Sequence, residues 1–359
     1  MPTSQMFPAT LTSLFISGET FTHSLDNVLP ASITFLDLSQ AYAWNLPIKA
    51  AAMPPRLKFL ILGEGFEQGF EDDNRHPWPR GITINLKLTK FNHPVIPNAQ
   101  DLTLYLPLTF NQEWIQCPNI QTLYLNMATP RFHSDIVCTT LKRLVLSDMK
   151  AHALMFITQS RFPILESIEI IRLVSEDQQH GDLISLEIAS MPLTLNAMVI
   201  GVKSPSQVTF TSFPQGVVRL TIDCEYFRLS KGLIPSSVNK LNLINYNHHV
   251  HADVLPHALT SLDMDNDKFD PSTLPNTLKS LSYYLNADDL SKSDVYNSIS
   301  NVIDNMPMSI TKLCVALFGS PYRVRRISNT MFFYIPKFSL QSCFFISKDS
   351  LCQFISSNI

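Results

Sequence analysis

The side chains most able to do chemistry cluster at His248, His249, His251 and His257, with Asp253 among them. Alternation along an extended segment would put His249 and His251 on one face, the first requirement for a shared metal ion. No second ligand set with structural-zinc spacing accompanies them. His248 and His249 therefore read as variable positions of a turn phrase, and His257 as a surface residue after Pro256. Asp263, Asp265, Asn266, Asp267 and Asp270 resemble a calcium loop in composition only. Counted from Asp263, the glycine and glutamate that an EF-hand requires at its sixth and twelfth positions are Lys268 and Leu274. A solvated acidic face is the expectation. Gly63-Glu64-Gly65 with Gly69 approaches a dinucleotide loop, but the third glycine is one residue late. Glu67, Glu71, Asp72 and Asp73 would also repel a pyrophosphate. Arg323, Arg325 and Arg326 form a small basic patch, open to reading as a solvated turn or as a phosphate contact. No GxSxG, HExxH or GxxxxGK[ST] occurs. The expectation is a chain that is not an enzyme, with no catalytic residue, no cofactor and no metal.

These residues are set in a repeat. Aligning on proline gives P-x-x-Φ-x-x-Φ-x-Φ, where Φ is apolar: FPATLTSLFI begins at Phe7, LPASITFLDL at Leu29, MPPRLKFLIL at Met53 and IPSSVNKLNL at Ile234. Pro192, Pro214, Pro235, Pro256 and Pro275 recur at about 19–22 residues, the period of a leucine-rich solenoid. The closing Φ-x-Φ, such as Leu241-Asn242-Leu243, is a short strand with two residues facing the core. Proline, which cannot donate a ladder hydrogen bond, belongs to the turn before it. One unit cannot bury its own apolar face, so about fourteen or fifteen copies should stack into a continuous core. The frame slips by one residue near Pro79 and Pro97, and coil boundaries stay open over 76–110 and 284–359. Lys150–Ser160 and Ser293–Asn305 read as helices, the second with Ser293 as N-cap and Val295, Ile299, Val302 and Ile303 on one face. Ser347–Ile359 reads as a closing helix. The fold expected is an α/β to mainly β, leucine-rich-repeat-like solenoid. It has short parallel strands, one per coil of about 21–22 residues, and a few short helices. The whole of 1–359 reads as one domain, with coils over 1–283 and a helix insertion, degraded coils and a C-terminal cap over 284–359.

Composition bounds the partners. The chain is 45% hydrophobic and 16% charged with a net charge of −3, which gives no electrostatic footprint for nucleic acid or a membrane surface. Six scattered cysteines without a CxxC pair read as reduced, mostly buried small hydrophobes. The first residues lack a basic n-region and already follow the repeat, so no signal peptide is expected. Met331–Ile346 is interrupted by Pro336 and Lys337 and is too short to span a bilayer. A monomer in the cytoplasm or nucleus is the expectation.

Between strands a second phrase recurs, aromatic-Asn-x-Pro-aliphatic. It is complete in Trp44-Asn45-Leu46-Pro47-Ile48 and Phe91-Asn92-His93-Pro94-Val95, and partial in Phe110-Asn111-Gln112 and Tyr246-Asn247-His248. Followed by [IL]P-x-S-[LV], as in Leu233–Val238, it resembles the FNIP repeat, a leucine-rich-repeat relative. The resemblance covers most of residues 7–283. It implies an interaction scaffold, an aromatic ring filling the core and an Asn satisfying backbone groups in the turn. FNIP proteins sometimes carry an F-box or kinase domain; with the first repeat starting by Phe7, neither is expected here.

The function expected is protein binding on the concave strand face. The residue between the two strand apolars is Phe15, Asp37, Ile61, Tyr124, Val145, Glu169, Val199, Thr221, Asn242, Asp263 and Ser282 in successive readable coils. Aromatic and aliphatic groups at these positions are of the kind that anchors interfaces. The alternative is a substrate-recognition adaptor of a ubiquitin-ligase-type complex. The identity of the partner is left open.

Overall fold

A computed structural model describes residues 6–63, 65–71, 78–79, 81–86, 101–104, 120–126, 137–174, 184–186, 188, 190–202, 208–285, 290–317, 320–336 and 343–357. The proline phrase builds each coil by one recurring turn. The proline carbonyl accepts the N–H of the first Φ residue, as in Ile33 to Pro30 (3.1 Å), Val238 to Pro235 (3.1 Å) and Leu278 to Pro275 (2.9 Å). That folds the chain back onto the preceding coil. The next two amides then share one carbonyl there: Lys58 and Phe59 both donate to Thr34, and Asn239 and Lys240 both donate to Val218. The hydroxyl two positions after proline adds a bond to the preceding coil. Ser32 donates to the Leu11 carbonyl (2.6 Å), Ser237 to Val217 (2.7 Å) and Thr277 to Leu259 (2.9 Å).

The chain forms two compact units, Met1–Glu176 with Ser190–Leu195, and Asp177–Ala189 with Asn196–Ile359. The first contains β1 (Ser13–Ser17), β2 (Phe35–Gln40), β3 (Ile48–Lys49), β4 (Phe59–Leu62), β5 (Phe70–Glu71) and β6 (Thr83–Leu86). It continues with β7 (Asp101–Leu104), β8 (Thr122–Asn126), β9 (Arg143–Ser147), β10 (Met149–Lys150) and β11 (Ser167–Val174). Strands β1, β2, β4, β6, β7, β8, β9 and β11 pair in that order, all parallel. On the returning side of the coil β3 pairs with β5.

The second unit holds β12 (Ile184–Leu186), β13 (Ala197–Val202), β14 (Val208–Phe210), β15 (Arg219–Asp223), β16 (Lys240–Ile244), β17 (Ser261–Met264) and β18 (Ser280–Tyr284). Then come α1 (Lys292–Asn305), β19 (Lys312–Leu317), β20 (Ser320–Arg326), β21 (Met331–Ile335), β22 (Phe344–Ser347) and α2 (Lys348–Ser356). Strands β13, β15, β16, β17, β18 and β19 form a parallel ladder. Each unit is thus a mostly β, leucine-rich-repeat-like solenoid with one ladder strand per coil.

The core follows the repeat. The first Φ is fully buried at Ile33, Leu57, Leu165, Val217, Val238, Leu259 and Leu278, each at most 1% exposed. The strand pairs Leu36/Leu38, Leu144/Leu146, Ile168/Ile170, Leu220/Ile222 and Leu241/Leu243 are buried with them.

Three expectations change. The segment after Lys150 is a 3-10 turn, Ala151–Phe156, with no side-chain cap to extend it into an α-helix. Helix α1 begins two residues earlier than expected. Its N-cap is Ser291, whose hydroxyl accepts from Asp294 N–H while the Asp294 carboxylate accepts from Ser291 N–H, a reciprocal capping box. Val295, Ile299, Val302 and Ile303 are buried as its spacing predicts. Finally, the coils do not continue to the C-terminus. Strands β19 to β22 run as an antiparallel meander. Only residues 318–319 separate β19 from β20, too few for the crossover that parallel pairing requires. Helix α2, capped by Ser347, packs on α1, and Lys348 forms an ion pair with Asp304.

Candidate functional site

Parallel pairing places the sequence-read positions in register. In the first unit Phe15, Asp37, Ile61, Asn85, Thr103, Tyr124, Val145 and Glu169 lie opposite one another, strand after strand. In the second, Val199, Thr221, Asn242, Asp263 and Ser282 do so, and Cys314 extends the row. Asn85 and Thr103 were not read from sequence, because the proline frame slips there. The signal available was the bare Φ-x-Φ of Ile84–Leu86 and Leu102–Leu104.

The row is not uniformly exposed. Phe15 is 68% exposed, Asp263 is exposed, and Asp37, Ile61, Tyr124, Glu169, Thr221 and Asn242 are half-buried. Val145 departs from the expectation: it is buried, 3% exposed. It is the short member of a trio whose neighbours in register, Tyr124 and Glu169, are longer. Arg143 completes the cover, with its guanidinium 5.6 Å from the Tyr124 ring centre and 3.1 Å from the Glu169 carboxylate. Asp37 is engaged locally, accepting from Ser39 N–H at 2.8 Å.

Two further outward residues were missed by considering only the middle position. Period two puts Phe35 and Phe59, which open β2 and β4, on the same face as Asp37 and Ile61. Phe35 is half-buried and Phe59 is 46% exposed. Their rings form a chain, Phe15 to Phe35 at 5.1 Å and Phe35 to Phe59 at 6.0 Å between centroids. With Ile61 they make an apolar patch on the outer face of the first ladder.

Residues of the clusters that looked chemical serve coil stacking and turn capping. Asp265 accepts from Asn245 N–H and, at 3.3 Å, from Tyr246 N–H in the preceding coil, where Asn245 holds a left-handed φ of 53°. Asn266 donates to the Tyr246 carbonyl and accepts from Lys268 N–H at 2.9 Å. Asp270 caps the 3-10 turn Pro271–Thr273 through Ser272 N–H, and bonds from Ser272 hold its carboxyl below the usual range. Gly63 is required by close approach: a Cβ there would lie 2.6 Å from the Ser39 carbonyl oxygen of the preceding coil. Gly65 meets the Tyr42 carbonyl in the same way.

The His249 and His251 rings do come together, with centroids 4.7 Å apart. Among the described residues no group of three or more His, Cys, Asp or Glu is placed to hold a metal ion. The His248 Nε2 is buried without a hydrogen-bond partner among the described residues. Burial first, then the charges of Arg228 and Lys268, hold its pKa below the ordinary value. Of the arginine trio, Arg323 and Arg325 are exposed on β20. Arg326 turns inward and donates to the carbonyls of Ile303 (3.2 Å) and Pro307 (3.0 Å) at the end of α1. The five described cysteines are free, with Cys138, Cys224 and Cys352 buried and the Cys352 thiol pushed up to about 11 by burial. No helix of the described residues is long and apolar enough to cross a membrane.

The aromatic-Asn phrase is assembled across coils. Trp44 is 4% exposed, stacks on Phe66 of the next coil at 5.8 Å, and donates through Nε1 to the His23 carbonyl at 3.0 Å. Asn45 accepts from Glu67 N–H of the next coil at 2.9 Å, and Asn247 donates to Glu225 of the preceding coil at 3.1 Å. The Asn thus braces its neighbour rather than its own turn. The phrases at Phe91 and Phe110 lie outside the described residues.

Residues 228–267 match the FNIP Repeat family model. The chain is 27% identical over 149 residues to the probable serine/threonine-protein kinase fnkA of Dictyostelium discoideum, across 40% of this chain and 18% of that protein. A solved structure titled as that of CroV588, a novel circular LRR protein, aligns with a TM-score of 0.47 at 17% identity, over 87% of this chain and 47% of the other. The chain therefore spans less than half the length of either protein it resembles. Residues 228–267 thus match the FNIP repeat within a leucine-rich-repeat-like parallel ladder.

Proposed function

We propose that this protein is a non-catalytic interaction scaffold that binds protein partners on the outer face of its strand ladder. The observation that carries the reading is the apolar patch of Phe15, Phe35, Phe59 and Ile61. It exposes aromatic rings on a surface fixed by parallel backbone pairing. Aromatic anchors on a preorganised backbone lose little conformational entropy on binding, and such residues dominate interface energetics. The kinase activity in the name of the Dictyostelium protein is not carried over, because the likeness covers 18% of it.

The test is affinity capture with quantitative mass spectrometry, comparing the native chain with Phe15→Asp/Phe59→Asp. Met155→Asp serves as control, since Met155 is 66% exposed on the 3-10 turn away from the ladder face. The proteins retained by the native chain should be lost from the double variant and kept by the control. Retention by all three alike would refute the assignment of this face.

A further inference from the structure

A second row on the outer face of the second unit joins the residues that open β15 to β19 and their register partners in β20 to β22. Arg219 lies opposite Lys240, two serines follow, and then come Lys312, Arg325, Phe333 and Phe345. The four cations are exposed, and among the described residues none forms a salt bridge. The last two members form an aromatic pair with centroids 5.1 Å apart, of which Phe345 is 66% exposed. At about 4.8 Å per strand the cationic stretch is about 24 Å long and the whole row about 34 Å, the span of some ten extended residues.

We propose that this row docks an extended acidic protein segment, with carboxylates over the two pairs of cations and an apolar side chain at one end against Phe333 and Phe345. Charge complementarity selects the occupant, and the narrowness of the strip selects its kind. Asp263 is exposed one outward position along β17, and Asp223 ends β15 on the same face. A flat anionic membrane would cover those carboxylates as well as the cations. A nucleic acid would carry phosphates across the uncharged serines. A peptide can place neutral residues over the serines and keep within one row; Arg323 widens the strip only beside Arg325. The inference shares the reading of the ladder as a protein-binding face but rests on none of the residues of the first unit's patch.

The experiment uses the full chain and a fluorescent ten-residue peptide of Asp and Glu carrying two Phe at one end, read by anisotropy. Saturable, salt-sensitive binding is expected. Lys312→Glu/Arg325→Glu should weaken it about tenfold or more and should acquire binding of the matching lysine peptide. Phe345→Ala should weaken the acidic peptide without changing its salt dependence. If the double reversal shifts the melting curve, Arg325→Gln alone is the comparison, and a weaker effect of the same sign is expected. The proposal is overturned by no saturable binding at about 1 mM peptide, or by an affinity the variants leave unchanged. Tighter binding of an oligothymidine strand or phosphatidylserine vesicles would overturn it too. Capture by the first unit should be unaffected by these variants, which lie in the second unit, so the two readings fail separately.

Discussion

Leu241→Ala and Asn242→Ala separate core from surface within one strand. Leu241 is 2% exposed and lies in register between Leu220 and Leu262, each 1% exposed. Truncation removes three carbon atoms at about 0.8 kcal/mol each in transfer free energy, so about 2.4 kcal/mol is the floor. The stacked coils above and below hold their own backbone ladders and cannot collapse into the gap, which raises the total toward about 2–5 kcal/mol. Asn242 sits between Thr221 and Asp263 on the outer face, where substitution changes stability by about 0.5 kcal/mol or less. Each coil contacts mainly its neighbours, so damage from Leu241→Ala should appear first as opening of β15, β16 and β17 before distant coils respond. Hydrogen exchange with mass spectrometry reads this strand by strand. Faster exchange in Asn242→Ala with full protection in Leu241→Ala would refute the register, and the outer-face assignment would fall with it.

Gly63→Ala should destabilise the third coil by about 1–3 kcal/mol, because the new Cβ meets a backbone carbonyl that cannot rotate away. A lowered thermal midpoint checks it, and an unchanged midpoint would mean the coils do not approach as closely as described. His248 gives a pH dependence of definite sign. Its folded pKa is depressed, so between that value and the unfolded value of about 6.5 the unfolded chain binds more protons. Stability should therefore be full above about pH 6.5 and decline as pH falls through that window. Urea midpoints measured from pH about 7.5 to 5 should slope less in His248→Gln than in the native chain.

The strand frame was legible because two strong signals coincide, proline in the turn and Φ-x-Φ in the strand, and both recur at one period. Side-chain roles were less legible, because their partners lie one coil away. Asn45 meets Glu67, Ser237 meets Val217 and Asp265 meets Asn245, separations of about one repeat that a local motif reading does not search. Exposure along the outer row was misjudged at Val145 for the same reason: Tyr124, Arg143 and Glu169, from its own strand and both neighbours, decide it. The capping box was missed by two residues because Ser291 and Ser293 are both competent caps, and only the reciprocal bond with Asp294 selects the first. The C-terminal meander was misread as degraded coils because alternating apolar residues do not reveal strand direction; the short link at 318–319 does.

The apparent chemistry of the sequence has a physical origin in the repeat itself. A coil of about 21 residues exposes backbone amides at each turn, and buried amides must be satisfied. Aspartate and asparagine do this at short range, which is why Asp265, Asn266 and Asp270 cluster as if to bind calcium, and why glycine stands where the Ser39 carbonyl approaches. Charged and aromatic side chains also stand on the outer face of the ladders, among them Phe15, Phe59, Lys240 and Lys312. There the alternation that buries Leu36 and Leu38 must turn Phe35 outward, and the alternation that buries Leu313 must turn Lys312 outward. The core pattern thus fixes which strand positions face outward.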